Sequence, residues 1–174
     1  MNPLLHTVHA TKLYRPRAIF HPTGSSILLT HQGPYYYVYD IQSDRFVKSC
    51  GAFWKSTTPR GRVLQNHVVD SFCMSKFSPD GKFLAVGGQD GYVHLVDWSE
   101  NIAGGQITGN MKMNTAIKDL CWVGRDQLMT LGDNSEVYLW DIGMRRCLSR
   151  WRDEGTYKPS ILEGSAKGDY YAIG

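Results

Sequence analysis

The sequence predicts an all-β protein built from repeated antiparallel units of about 44 residues, and three observations support this. An aromatic residue, a turn and two β-rich runs recur in the same order three times. Tight-turn residues are spread along the chain, which contains 18 Gly and 7 Pro. The apolar runs between these turns lack the sustained three-to-four-residue spacing of helices, and none approaches the roughly 18 residues of a membrane span.

The first unit is "FHPTGSSILLTHQGPYYYVYDI", from Phe20 to Ile41. Pro22 sets the backbone at the first corner of a tight turn, and Gly24 takes the positive φ that other residues avoid. The runs "SILLT" and "YYVYD" then predict two strands, the second closed by Asp40. We place the whole repeat at about residues 10–50.

The second unit, "FSPDGKFLAVGGQDGYVHLVDW" from Phe77 to Trp98, has the same plan. Its "PDG" opening predicts a turn, and the Asp90–Gly91 pair between two β runs is a strong hairpin signal. The second run again closes on an aspartate, Asp97. The repeat is placed at about residues 67–108.

The third unit, "WVGRDQLMTLGDNSEVYLWDI", runs from Trp122 to Ile142 within a repeat at about 112–151. Its closing run is apolar at consecutive positions, which favours a strand covered on both faces. A fourth copy, "GSAKGDYYAIG", lies in residues 157–174, and the sequence stops inside it. We therefore expect either a longer protein or a partner that covers the open end of the stack.

The closing Trp140–Asp141, the "FSPDG" opening and the repeat length together resemble the WD40-repeat family. This resemblance implies about three and a half four-stranded blades of a larger, seven-bladed β-propeller. Four aspartates at turns and strand ends, Asp90, Asp97, Asp133 and Asp141, are expected to bond nearby backbone N–H groups. Structural roles within the repeats are expected for five residues. They are Asp40, Asp90, Asp97, Trp140 and Asp141.

A basic insertion at residues 45–67 separates the first two units and gives the candidate contact residues. Residues 1–70 hold eight Lys or Arg against three acidic residues, although the net charge of the whole chain is only +3. Three interpretations remain open: a solvated loop, a docking site for an acidic protein segment, or an RNA contact through phosphates and a stacked base. The candidates are Arg45, Lys48, Trp54, Lys55, Arg60 and Arg62.

A second basic group follows the third unit in "MRRCLSRWRDEG". It falls where an outer blade strand and the next loop are predicted, and charged residues on such an edge strand discourage edge-to-edge pairing. The secondary candidates are Arg145, Arg146, Arg150 and Arg152.

No pattern in the sequence indicates catalysis, a cofactor or a metal site. The glycines of "GGQDGY" lack the setting of a phosphate-binding loop, and no "GxSxG" or paired-histidine motif occurs. The four cysteines form no CxxC pair, so we expect buried thiols rather than metal ligands. We expect no enzyme activity and assign no catalytic, cofactor-binding or metal-binding residue.

Several segments, above all "EVYLWD" followed by "RRCLSRWRDEG", are similar to WD40 propellers of the small-subunit processome. That resemblance implies a non-catalytic scaffold in ribosome biogenesis, located in the nucleus and within it in the nucleolus. The implied partners are other propeller and scaffold proteins of that particle, together with pre-rRNA or U3 small nucleolar RNA. The alternative is a WD40 adaptor of another complex, such as a ubiquitin-ligase substrate receptor or a chromatin adaptor.

Overall fold

The computed structural model describes residues 17–30, 36–50, 72–89, 91–98, 106–152, 154–165 and 167–174. These residues form three four-stranded antiparallel sheets and one two-stranded sheet, with no helix among them. The predicted all-β class is therefore confirmed, and the short apolar runs are strands.

The strands follow one another in chain order within each sheet, as a meander. The first sheet contains β1 (Arg17–Phe20), β2 (Ser26–Thr30), β3 (Tyr36–Asp40) and β4 (Arg45–Cys50). The second contains β5 (Phe72–Phe77), β6 (Phe83–Gly88), β7 (Tyr92–Asp97) and β8 (Gln106–Lys112). The third contains β9 (Ile117–Val123), β10 (Gln127–Gly132), β11 (Glu136–Asp141) and β12 (Arg146–Arg152). The fourth contains β13 (Leu162–Gly164) and β14 (Tyr171–Ile173).

Consecutive sheets pack face to face, and the first strand of each sheet lies beside the first strand of the next. Three buried clusters fill the spaces between neighbouring sheets, which explains why the strand runs are apolar at consecutive positions. Each cluster combines residues of neighbouring sheets, such as Leu28 and Leu84, Val93 and Leu120, and Met129 and Leu162.

The turn between the first two strands of the second sheet is held by side chains as well as by the backbone. Ser78 is fully buried, and its hydroxyl donates to Asp80 Oδ1 at 2.7 Å and accepts from the Phe83 N–H at 2.9 Å. Gly81 takes a φ of +74°, in the left-handed region that the "PDG" signal predicts. Burial alone would raise the pKa of Asp80, but the hydrogen bonds from Ser78 and Lys82 outweigh it and lower the pKa.

The aspartates that close the third strands of the first and third sheets cap the next turn in the same way. Asp40 Oδ1 accepts from the Ser43 N–H at 2.6 Å, and Asp141 Oδ1 accepts from the Met144 N–H at 2.7 Å. One residue later the backbone is left-handed in both turns, at Asp44 (φ 51°) and Arg145 (φ 52°). The backbone bond from Ser43 lowers the pKa of Asp40. Asp40 and Asp141 thus each accept a hydrogen bond from a backbone N–H of the next turn, whereas Asp90 lies outside the described residues.

A β-bulge recurs at one position in all three four-stranded sheets, between the third and fourth strands. At each bulge the outer strand carries one extra residue that no residue of the inner strand opposes. A bulge bends an edge strand and interrupts its ladder, so it hinders pairing with another chain. The extra residues are Val47, Thr108 and Leu148.

Candidate contact surface on the outer strands

The first candidate group is only partly visible in the structure. Arg45 and Lys48 lie on β4, the outermost strand of the first sheet, and Arg45 is exposed opposite Asp40. The first six residues of the basic insertion, Arg45–Cys50, are thus a blade strand. The remaining candidates lie outside the described residues. These are Trp54, Lys55, Arg60 and Arg62.

The second candidate group lies on the outermost strand of the third sheet and on the turn before it. Arg145 is in the turn, and the other three arginines are exposed on β12. The register sets Arg150 opposite Tyr138 and Arg152 opposite Glu136, both on the face that looks toward the second sheet. Arg146 pairs with Asp141 and therefore points to the opposite face.

The Arg150 side chain is held by an aromatic stack. Its guanidinium carbon lies 5.7 Å from the centre of the Tyr138 ring, and NH1 is 3.5 Å from the Tyr138 hydroxyl, a contact that raises the pKa of Arg150. Tyr138 stacks on Trp140 at 5.3 Å between ring centres, and Trp140 Nε1 donates to the buried Thr130 hydroxyl at 2.8 Å. The position of the exposed Arg150 guanidinium is thus stabilised by aromatic side chains that are anchored in the interior of the blade.

Arg152 has an acidic partner, Glu136, with NH2 3.6 Å from Oε1. The pKa of Glu136 is lowered mainly by a hydrogen bond with the Asn134 side chain. The Tyr138 hydroxyl donates a second hydrogen bond to Glu136, at 3.2 Å. Glu136 is therefore a carboxylate at neutral pH and compensates part of the positive charge of the arginines.

Arg145 packs on the outer strand of the neighbouring sheet, at Gly109. A Cβ at position 109 would lie 2.8 Å from Arg145 Nε, so the arginine occupies the place of a side chain. Sequence reasoning missed this contact, and it also missed that Glu136 forms an ion pair with Arg152. A glycine inside the strand "QITGNMK" was the available signal, because glycine within a strand often marks a close approach.

Polar groups on the inner strands join the sheets to one another and were also missed. The Trp122 indole N–H donates to the Lys76 carbonyl at 2.9 Å, which joins β9 to β5. Lys76 Nζ in turn reaches Glu163 Oε2 on β13 at 2.7 Å, with the carboxylate 70% exposed. These bonds tie the second, third and fourth sheets together near the first strands.

The described cysteines and acidic residues give no sign of a metal centre. Within the described ranges, no group of three or more His, Cys, Asp or Glu side chains is arranged to hold an ion. Burial raises the pKa of the Cys121 thiol to about 12, whereas Cys147 is exposed. The expectation of buried thiols is right for Cys121. It is wrong for Cys147, because Cys147 lies on the outer strand β12 and is exposed. The side chains of Cys50 and Cys73 lie outside the described set.

In the part of the chain that the structure describes, we find no helix with the length and apolar character needed to cross a bilayer.

Comparison with known proteins identifies the repeat and two similar relatives. The family model "WD domain, G-beta repeat" matches residues 59–97. The human U3 small nucleolar RNA-associated protein 18 homolog is 30% identical over 176 residues, and the mouse homolog is 28% identical over 175 residues. Each alignment covers 99% of this chain but only 29% of the relative. The chain thus spans less than a third of the length of these curated relatives.

A solved structure supports the architecture independently. The crystal structure of the RRP9 WD40 repeats superposes with a TM-score of 0.70 at 15% identity, and the match covers 90% of this chain and 43% of that one. At this identity the likeness concerns the fold alone. The stacked four-stranded sheets and this superposition together identify the fold as blades of a β-propeller. Residues 59–97 match the WD40 repeat, and nearly the whole sequence is similar to U3 small nucleolar RNA-associated protein 18.

Proposed function

We propose that this chain is a non-catalytic scaffold of the small-subunit processome, in which pre-18S rRNA is processed. The observation that carries the proposal is the similarity to two U3 small nucleolar RNA-associated proteins along 99% of the chain. The chain spans only 29% of the length of those relatives. The proposal therefore assigns to it only the partner contacts that propeller blades make. A nucleolar location follows from the same proposal.

The physical basis of a scaffold role is that the sheets hold surface residues at fixed positions. Three buried clusters and the bonds between inner strands leave the blades little freedom to move relative to one another. Loops and outer strands then present side chains to partners while the core stays unchanged. The proposed mechanism is therefore geometric, with other propeller and scaffold proteins of the particle as partners.

The proposed contact residues are basic, which suits acidic protein segments or the phosphates of pre-rRNA and U3 small nucleolar RNA. The outer-strand arginines are exposed, with the Arg152 side chain 57% accessible. The insertion residues named above form the other proposed contact, in which Trp54 would anchor a partner.

The test is a pull-down of the tagged full chain from a nuclear extract, with mass spectrometry and RNA sequencing on the same eluate. The expected result is enrichment of propeller-rich assembly factors with U3 RNA and pre-rRNA. A parallel sample treated with ribonuclease separates protein contacts from retention through RNA. Recovery of ubiquitin-ligase or chromatin subunits without pre-rRNA would contradict the processome role and favour the adaptor alternative.

A further inference from the structure

Three arginines of the third sheet gather on the side that looks toward the second sheet. Arg150 and Arg152 project from β12 on that face, and Arg145 reaches from the turn to Gly109 on β8. We call these three arginines together with Glu136 the arginine surface. It runs along the outer edge of the third sheet, away from the inner strands.

Positive charge is in excess on this surface. Among the described residues, Glu136 is the carboxylate that pairs with these guanidinium groups, and its side chain is only 16% exposed. Three arginines against one glutamate attract an anionic partner, and each guanidinium is suited to bidentate contact with a carboxylate or phosphate.

Two of the arginines are already held in place before any partner binds. Arg150 lies over the Tyr138 ring, and Arg145 occupies the space that the missing side chain of Gly109 leaves open. Side chains that are fixed in advance lose less conformational entropy on binding, which raises affinity for a partner that matches their spacing.

The spacing of the arginines favours an extended peptide. Arg150 and Arg152 are two residues apart on one strand, so their backbone positions are separated by about 6.6 Å. In an extended peptide the side chains of alternate residues lie on one face with the same separation. Acidic residues at alternate positions of such a peptide therefore match the two guanidinium groups.

Two observations argue against other modes of binding on this surface. The aromatic rings beneath the arginines, Tyr138 and Trp140, are each 5% exposed, so they offer no open face on which an RNA base could stack. The bulge at Leu148 interrupts the free edge of β12, which hinders addition of a partner strand through backbone bonds. Recognition must therefore come from side chains.

We propose that the arginine surface binds an extended acidic segment of a partner protein, with carboxylates at alternating positions that pair with Arg150 and Arg152. Arg145 contributes a third contact at the end next to Gly109. The inference rests on the proposed scaffold role, for which it names one docking site and the chemistry of its partner.

The experiment measures fluorescence anisotropy of short labelled probes with the purified full chain at near-physiological salt. The first probe is a peptide of alternating Glu and Thr, the second has the same composition with its glutamates in one block, and the third is a single-stranded RNA oligonucleotide. We expect the alternating peptide to bind most tightly. Absence of binding, equal binding of the block peptide, or tighter binding of the RNA would overturn the proposal.

Variants identify the surface that binds the alternating peptide. The double change Arg150→Gln and Arg152→Gln should weaken binding by about tenfold or more, because two charge-assisted contacts are lost. Arg146→Gln is the control: it removes one charge, as each of the single variants Arg150→Gln and Arg152→Gln does, but from the opposite face of β12. An effect of the control as large as that of the double variant would overturn the assignment to this face.

Glu136→Gln provides a readout in the opposite direction. It removes the carboxylate that pairs with Arg152, so binding of the alternating peptide should tighten several-fold. Unchanged or weaker binding in a variant that stays folded would overturn the proposal even if the arginine double variant were unstable.

The two proposals fail in different ways. Processome proteins in the pull-down without peptide binding would contradict the docking site alone. Peptide binding that depends on Arg150 and Arg152, with no processome proteins in the pull-down, would contradict the proposed function alone.

Discussion

Asp119 on β9 accepts a hydrogen bond through Oδ2 from the backbone N–H of Leu162 on β13, at 2.7 Å. Its other oxygen, Oδ1, accepts from the N–H of Leu120 at 2.8 Å. Asp119 is only 5% exposed and Leu162 is fully buried. One carboxylate thus satisfies a backbone donor on its own strand and a donor on the next sheet, and so joins the third and fourth sheets.

Asp119→Ala should lower the free energy of unfolding by about 1–3 kcal/mol, because the buried Leu162 N–H loses its acceptor. Urea unfolding of the full chain measures the change. Asp126→Ala is the matched control, since that aspartate is exposed on a turn of the same sheet. Similar losses in the two variants would mean that the bond between the sheets contributes little.

Trp140 and Thr130 should be energetically coupled through the bond from the indole Nε1 to the threonine hydroxyl. Trp140→Phe leaves the buried hydroxyl unsatisfied, and Thr130→Val leaves the indole N–H unsatisfied, so each single variant loses stability. The double variant should lose less than the sum of the two, with a coupling energy of about 1 kcal/mol. Strictly additive losses in thermal or urea unfolding would refute the coupling.

Gly164→Ala should destabilise the chain by about 1–3 kcal/mol through overpacking. A Cβ at this position of β13 would meet the backbone carbonyl of Trp122 on β9, which cannot move away without displacing the strand. Gly143→Ala is the control, because its nearest neighbour would be Asp141 Oδ1 at an ordinary 3.5 Å. The melting temperature of Gly164→Ala should therefore fall, and that of Gly143→Ala should change little.

The two described cysteines should differ sharply in reactivity. The thiolate is the nucleophile, and burial raises the pKa of Cys121 to about 12, so Cys121 stays protonated and covered at mildly alkaline pH. Cys147 is exposed and should react with maleimide in the folded protein. Peptide mapping by mass spectrometry measures the extent of maleimide labelling at Cys121 and at Cys147. Labelling of Cys121 at the rate of Cys147 before unfolding would contradict the packing of β9.

Charge reversal in the basic insertion tests its role as a contact. Changing Lys55, Arg60 and Arg62 together to Glu should reduce the recovery of partners in the pull-down while the melting temperature stays within a few degrees, as for surface changes in general. A large loss of stability would mean that these residues are structural and would contradict the contact interpretation.

The local signals in the sequence predicted the blade strands well. Turn residues such as Pro79 and Gly81 act within four or five positions of the chain, and the capping aspartates Asp40 and Asp141 bond residues three positions ahead. Such short-range preferences depend little on what packs against the segment. The candidate site was less accessible to sequence reasoning, because the basic runs gave the charges but not the faces on which they lie.

By itself the sequence determined the all-β class, the two central strands and the turns of each repeat, and the similarity to U3 small nucleolar RNA-associated proteins; four strands in each repeat came from the family resemblance. Only the tertiary structure decided which residues meet between blades, as Asp119 meets Leu162 and Arg145 meets Gly109. The physical reason is that strand alternation fixes only that neighbouring residues point to opposite faces. Which face meets which neighbour follows from the stacking of whole sheets. On β12 it also follows from the bulge at Leu148, which changes the register and so places Arg150 and Arg152 on one face and Arg146 on the other.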